Sequence, residues 1–198
     1  IAYSADNKYV VIASGREAEL YSPGSETRVT EFTRVVNGTN QGHSKDITSI
    51  SCSTDNALLV TASSDQTIKL WKLPGGELVS TLSGHLGSVV AARFMDGSKY
   101  VVSASADMTV KLWDVQTAKE VYSKKDHLKP IRALDVSPDG KWIASGGGDK
   151  DIIVRNAMTG EVTQRLKGHS DWVRSLVFSP DSKILASAGD DKLVFLWD

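Results

Sequence analysis

Apolar and polar residues alternate along this chain in short bursts, and no stretch carries a helical period of any length. "ITSISCS" (47–53), "VVAARF" (89–94), "IRALDV" (131–136) and "VRSLVF" (173–178) read as half-buried strands. Each runs into a turn: "STDN", "MDGS", "SPDG" or "SPDS". Pro presets φ there, and Asp bonds its own backbone. Next come "LLVTAS", "YVVSAS", "WIASGG" and "ILASAG", then a tight turn at an Asp. "TIKLWK", "TVKLWD", "DIIVRN" and "KLVFLWD" follow, and "GELVSTL", "AKEVYS" and "GEVTQRL" close the first three units. The pattern predicts an all-β chain of short strands, four to a unit.

The units share one period. His43, His85, His127 and His169, the only four histidines, are 42 residues apart. Trp71, Trp113 and Trp197 each lie 28 residues after a His, and Arg155 holds the fourth such place. Asp65, Asp107, Asp149 and Asp191 stand six residues before these positions. Four-stranded antiparallel units repeated at about 40–45 residues predict a β-propeller. The period also disposes of a tempting motif. "GHSDWVRSL" (168–176) sets His, Ser and Asp side by side, but His85 is followed by Leu86 and Gly87, and His127 by Leu128 and Lys129. The His repeats and its supposed partners do not. A triad is a spatial arrangement, so no catalytic residue is expected here.

"GH" at 42–43, 84–85 and 168–169, with "WD" at 113–114 and 197–198, resembles the WD-repeat β-propeller family. "DH" at 126–127 and "RN" at 155–156 depart from that pattern, and "WK" at 71–72 departs slightly. The whole chain reads as one WD-repeat propeller domain: a degenerate partial repeat over 1–41, then repeats 42–83, 84–125, 126–167 and 168–198. In the first, Tyr21 takes the Trp place and no turn Asp is found. We expect three strands at the N-terminus and sixteen after it, making about five blades, the last without its outer strand. The resemblance favours a ring of seven, and the chain begins at Ile1 inside an alternation. It is therefore expected to be part of a larger propeller.

The resemblance implies a structural tetrad in each blade. Asp accepts a hydrogen bond from His, His meets a hydroxyl, and the hydroxyl accepts from the indole N–H. The sets are Asp65, His43, Thr61 and Trp71; Asp107, His85, Ser103 and Trp113; Asp191, His169, Ser187 and Trp197. Asp149, His127 and Ser145 form a set without a Trp. The hydroxyl two residues before the Asp is the other candidate, but Ser63 and Ser105 there give way to Gly147 and Gly189. Arg155 cannot act as an indole. Either its blade is the least rigid, or it pairs with Asp149 or Asp151.

Function is expected where repeats differ while the frame holds. Asp46, Ser88, Pro130 and Trp172 stand three residues after each His, and Thr48, Val90, Arg132 and Arg174 five after. Ser64, Ala106, Gly148 and Asp190 precede the turn Asp. The resemblance implies that these positions ring the mouth of the central channel. Trp172, Arg174, Arg132, Asp46 and Asp190 are the candidate partner contacts. Trp172 is either an exposed anchor or packing over the next blade's loop.

Composition narrows the partner. A formal net charge of −1 and no large basic stripe argue against nucleic acid. No apolar run approaches the ~20 residues that span a bilayer. One cysteine, Cys52, excludes an internal disulfide and fits a core thiol. "NGT" at 37–39 reads as a loop turn rather than a used sequon. Histidines on four different blades cannot share one metal ion, so no metal and no cofactor are expected. "GGGD" (146–149) lacks the Lys-Ser/Thr of a phosphate loop and suits close strand packing.

The leading expectation is a non-catalytic protein–protein interaction scaffold within a larger intracellular protein, cytoplasmic or nuclear, that joins a multi-subunit complex. One alternative is a regulatory or sensor propeller attached to an enzymatic domain such as an NTPase. Another is a ubiquitin-ligase substrate receptor. Receptors of that kind often carry a basic residue three places after the Trp, where Pro74, Gln116 and Met158 stand here.

Overall fold

The computed structural model describes residues 1–24, 27–32, 35–36, 39–95 and 97–198. Asn37 and Gly38 of the sequon, and Asp96 of the "MDGS" turn, lie outside the described residues. Among those described, every regular element is a strand.

The strands form five sheets that stand as propeller blades. Blade 1 holds β1 (Ala2–Tyr3), β2 (Val10–Ser14), β3 (Glu17–Tyr21) and β4 (Arg28–Glu31). A two-stranded piece, β5 (Val35–Val36) and β6 (Thr39–Asn40), follows it. Blade 2 holds β7 (Ile47–Cys52), β8 (Leu58–Ser63), β9 (Thr67–Lys72) and β10 (Leu78–Ser83). Blade 3 holds β11 (Val89–Met95), β12 (Tyr100–Ser105), β13 (Val110–Asp114) and β14 (Lys119–Lys124). Blade 4 holds β15 (Ile131–Val136), β16 (Trp142–Gly147), β17 (Ile152–Asn156) and β18 (Val162–Leu166). Blade 5 has three strands, β19 (Val173–Phe178), β20 (Leu185–Gly189) and β21 (Val194–Trp197).

The blade strands agree in number with the expectation, and blade 5 lacks its outer strand. The first of the strands after Tyr21 is β4, the outer strand of blade 1, within the stretch that read only as a long connection. It pairs antiparallel with β3 through Glu19–Glu31 and Leu20–Thr30. Three of the four residues of "RVTE" are polar, and only the neighbouring edge makes it a strand.

Alternation fixes the two faces of each blade. In blade 2, Val60, Ala62, Ile68 and Leu70 pack forward onto Val89, Ala92, Val101 and Trp113 of blade 3. Leu59 and Trp71 pack backward onto Val11, Leu20 and Phe32 of blade 1. The same division builds the interfaces of blades 3 and 4 and of blades 4 and 5. The core is therefore a series of slabs between neighbouring blades. Cys52 lies half-buried at one such slab, where burial pushes its thiol up to about 11.

The innermost strands β7, β11, β15 and β19 stand side by side around an axial cavity. Side chains tie them together. Arg93 on β11 donates to Ser49 Oγ on β7 at 2.8 Å, and the Phe178 amide donates to Asp135 on β15 at 2.8 Å. On the opposite rim the turns are also linked: Thr54 N–H to Ser98 Oγ at 3.2 Å, and Asp139 N–H to Ser182 Oγ at 3.1 Å.

Candidate functional site

The repeated polar residues bond one another inside each blade. In blade 2, His43 Nδ1 lies 2.9 Å from Asp65 Oδ2, and Nε2 lies 2.7 Å from Thr61 Oγ1. Trp71 Nε1 donates to the same hydroxyl at 2.9 Å. Blade 3 repeats this with His85–Asp107 at 3.0 Å, His85–Ser103 at 2.7 Å and Trp113–Ser103 at 2.8 Å. Blade 5 does so with His169–Asp191 at 2.8 Å, His169–Ser187 at 2.9 Å and Trp197–Ser187 at 2.9 Å. With the proton on Nδ1, the hydroxyl donates to Nε2 and accepts from the indole, so each buried polar atom has a partner. The other candidate hydroxyls serve elsewhere: Ser63 and Ser105 donate to the carbonyls of Lys45 and Gly87.

These networks are electrostatically closed. Asp65 accepts from His43, the Ser44 amide, and the amide and hydroxyl of Thr67. Burial opposes its ionisation, but those bonds outweigh burial and hold its carboxyl at about 2. Asp107 is lowered in the same way. Burial pushes His43 and His127 down from their ordinary value. Both ring nitrogens of His169 are taken, so neither is turned to Ser170 or Asp171, and the adjacent residues make no triad. Among the described residues, no three His, Cys, Asp or Glu side chains could hold a metal ion.

Blade 4 solves the same problem differently. His127 meets Asp149 at 2.8 Å and Ser145 at 2.9 Å, but no indole reaches Ser145. Arg155, fully buried, donates from Nη1 to Asp126 Oδ2 at 2.9 Å and to the Gly160 carbonyl at 3.2 Å. The expected pairing with Asp149 or Asp151 is thus corrected: Asp151 pairs with Arg165, and the partner of Arg155 is Asp126. The reason is steric. A Cβ on Gly84 would meet the Trp113 ring at 3.2 Å, and one on Gly168 would meet Trp197 at 2.9 Å. With Arg in place of the indole, residue 126 has room for a side chain. The departures at 126 and 155 are one exchange.

Four of the non-repeating residues, Thr48, Val90, Arg132 and Arg174, line the axial cavity. Backbone bonds join position 46 to 64, 88 to 106, 130 to 148 and 172 to 190 at 2.9–3.0 Å. Each inner strand bulges two residues later, where the register skips Thr48, Val90, Arg132 and Arg174. A bulge re-aims its side chain, and here it does so at equivalent places on four blades. Arg132, Arg174 and Thr48 line the cavity with Arg93. Trp172 is half-buried, with Arg132 5.4 Å and Arg174 5.2 Å from its ring centroid. Its ring lies against Gly148, in the preceding blade rather than the next. Arg174 makes a two-pronged pair with Asp190. Asp46 is exposed on blade 2, and among the described residues only its carbonyl is engaged, by the Ser64 amide. Sequence reading did not single out Arg93, whose counterparts Ser51, Asp135 and Val177 share no chemistry with it.

The profile of the family described as "WD domain, G-beta repeat" matches residues 34–72, 76–114, 118–156 and 160–198. The chain belongs to the WD-repeat family. The matched WD-repeat unit 76–114 spans β10 and then β11 to β13, the outer strand of one blade and three strands of the next. WD-repeat relatives in yeast (Saccharomyces cerevisiae) include U3 small nucleolar RNA-associated protein 13, 41% identical over 58 residues, which are 29% of this chain and 6% of that protein. Periodic tryptophan protein 2 from the same yeast is 33% identical over 98 residues, 48% of this chain and 11% of that one. An uncharacterized WD repeat-containing protein of Synechocystis is 31% identical over 100 residues, 50% of this chain and 26% of its own length. The chain thus spans a small part of the relatives it matches. WD-repeat domains generally act as protein-binding scaffolds.

Proposed function

We propose that this chain is a non-catalytic docking platform that holds protein or peptide partners at the mouth of its axial cavity. Trp172, Arg174, Arg132, Asp190 and Asp46 are the contact residues. The supporting observation is that Arg132 and Arg174, bulge residues lining the cavity, both pack on the ring of Trp172. Aromatic and arginine side chains carry a large share of binding energy at interfaces. The polar groups of the repeated frame are bonded within each blade, which leaves the variable mouth residues to meet a partner. The near-neutral charge supports protein over nucleic acid. Among the described residues, no helix is long and apolar enough to cross a membrane. The name of the first yeast relative supports membership of a multi-subunit complex and a nuclear site of action. The cyanobacterial match shows that this frame also occurs without a nucleus, so the location is tested separately by imaging the tagged protein.

The test is affinity capture from cell extract, comparing the native protein with a Trp172→Ala/Arg174→Ala variant. Circular dichroism and melting verify the fold of both. Loss of a specific partner at unchanged Tm supports the mouth surface. An unchanged partner list at unchanged Tm rejects it and moves the interface to the blade edges.

A further inference from the structure

Among the described residues, the axial cavity, about 170 Å³, is lined by three guanidiniums and no carboxylate. Two of these charges already have company. Asp190 grips Arg174 at Nε and Nη2. Arg93 donates to Ser49 Oγ and to the Ala92 carbonyl, with the charge of Asp135 acting on it from the next blade. Arg132 differs. It stacks over Trp172 and makes no hydrogen bond or ion pair among the described residues. One exposed positive charge is therefore left over, at a bulge, in a cavity that Thr48, Ser49 and Ser175 also line.

We propose, resting on the mouth-surface reading above, that Arg132 receives a single carboxylate, the side chain of a Glu or Asp on the bound partner segment. The guanidinium fork matches a carboxylate with two parallel hydrogen bonds. Stacking on Trp172 holds that fork in place before the partner arrives, so less side-chain freedom is lost on binding. Small residues line the cavity beside it, Ala91, Ala133 and Ser175, and leave space for a penetrating side chain. The charge balance selects a carboxylate over a phosphomonoester, which brings ≈ −1.5 to −2 against one unpaired guanidinium.

The probes are four synthetic peptide pools with degenerate flanks and a fixed central Glu, Gln, phosphoserine or Arg. Their binding to the 198-residue chain is read by fluorescence anisotropy. The Glu pool is expected to bind about tenfold tighter than the Gln pool, the range of one charge-assisted pair. Arg132→Gln should remove that ratio without lowering Tm, and Arg132→Glu should move the preference to the Arg pool. Equal binding of the Glu and Gln pools overturns the proposal. So does tighter binding of the phosphoserine pool, a Glu preference that survives Arg132→Gln, or no measurable binding by any pool. Trp172→Ala separates the two readings. If it weakens every pool while Glu and Gln stay equal, the mouth surface stands and the carboxylate falls. If it weakens none, both fall.

Discussion

At the scale of single residues, the exchange at 126 and 155 explains why a glycine usually precedes the His in this chain. That glycine gives room to an indole edge, and only a blade without the indole carries Asp there. Arg155 is nevertheless a poor substitute, because its Nε and Nη2 are buried without hydrogen-bond partners among the described residues. Asp126→Gly should therefore cost about 3 kcal/mol, as it leaves a buried cation unpaired. Arg155→Trp alone should also destabilise, since the ring meets the Asp126 side chain. The double variant Asp126→Gly/Arg155→Trp should be more stable than the native chain by about 1–4 kcal/mol, the range seen when buried ion pairs yield to well-packed side chains. Urea unfolding of the four proteins measures this cycle. The sequence displayed both departures, because each breaks a visible period. It did not display their coupling, because residues 29 apart meet only in the folded blade. Arg93 was invisible for a different reason: its repeat position holds Ser, Arg, Asp and Val in turn, and only the cavity gives it a role.

At the scale of strands, turn chemistry and alternation made almost every strand legible, since each inward side chain has a neighbouring blade to meet. β4 could be counted from the repeat layout but not placed, because three of its four residues are polar and pairing with β3 creates it. Close approach of strands is equally hard to read. Ser63, Ser105 and Gly147 hold equivalent positions, which suggests that they are interchangeable. They are not, because a Cβ on Gly147 would fall 2.2 Å from the Pro130 carbonyl oxygen and 2.7 Å from Ile131 Cα. Both obstacles are backbone, so the inner strand itself would have to move. Gly147→Ser, which copies the residue of the two preceding blades, should lower stability by about 3 kcal/mol or more. Thermal melting checks it, with Ser105→Gly as the reciprocal change. Ser105→Gly should cost less, because it forfeits only the bonds to Gly87 and Asp107 and some backbone entropy.

At the scale of the whole molecule, repetition multiplies small effects. The pKa values of His43 and His127 are lowered from 6.5, so the unfolded chain binds more protons at these sites as pH falls below that value. Asp65, held at about 2 against an ordinary 3.8, and Asp107, also lowered, act with the same sign in a second window. Stability should therefore fall as pH drops below 6.5, and fall further between about 4 and 2, where Asp65 alone accounts for roughly 2 kcal/mol. Melting curves recorded from pH 8 to pH 2 would show both steps, and a Tm that stayed flat between pH 7 and pH 5 would contradict the first. The slabs between blades have a different kind of consequence. Blade 2 lends Leu59 and Trp71 to the slab behind it and Val60 and Leu70 to the slab in front. Each contact belongs to two blades at once, so a side chain lost from one slab loosens both of its neighbours.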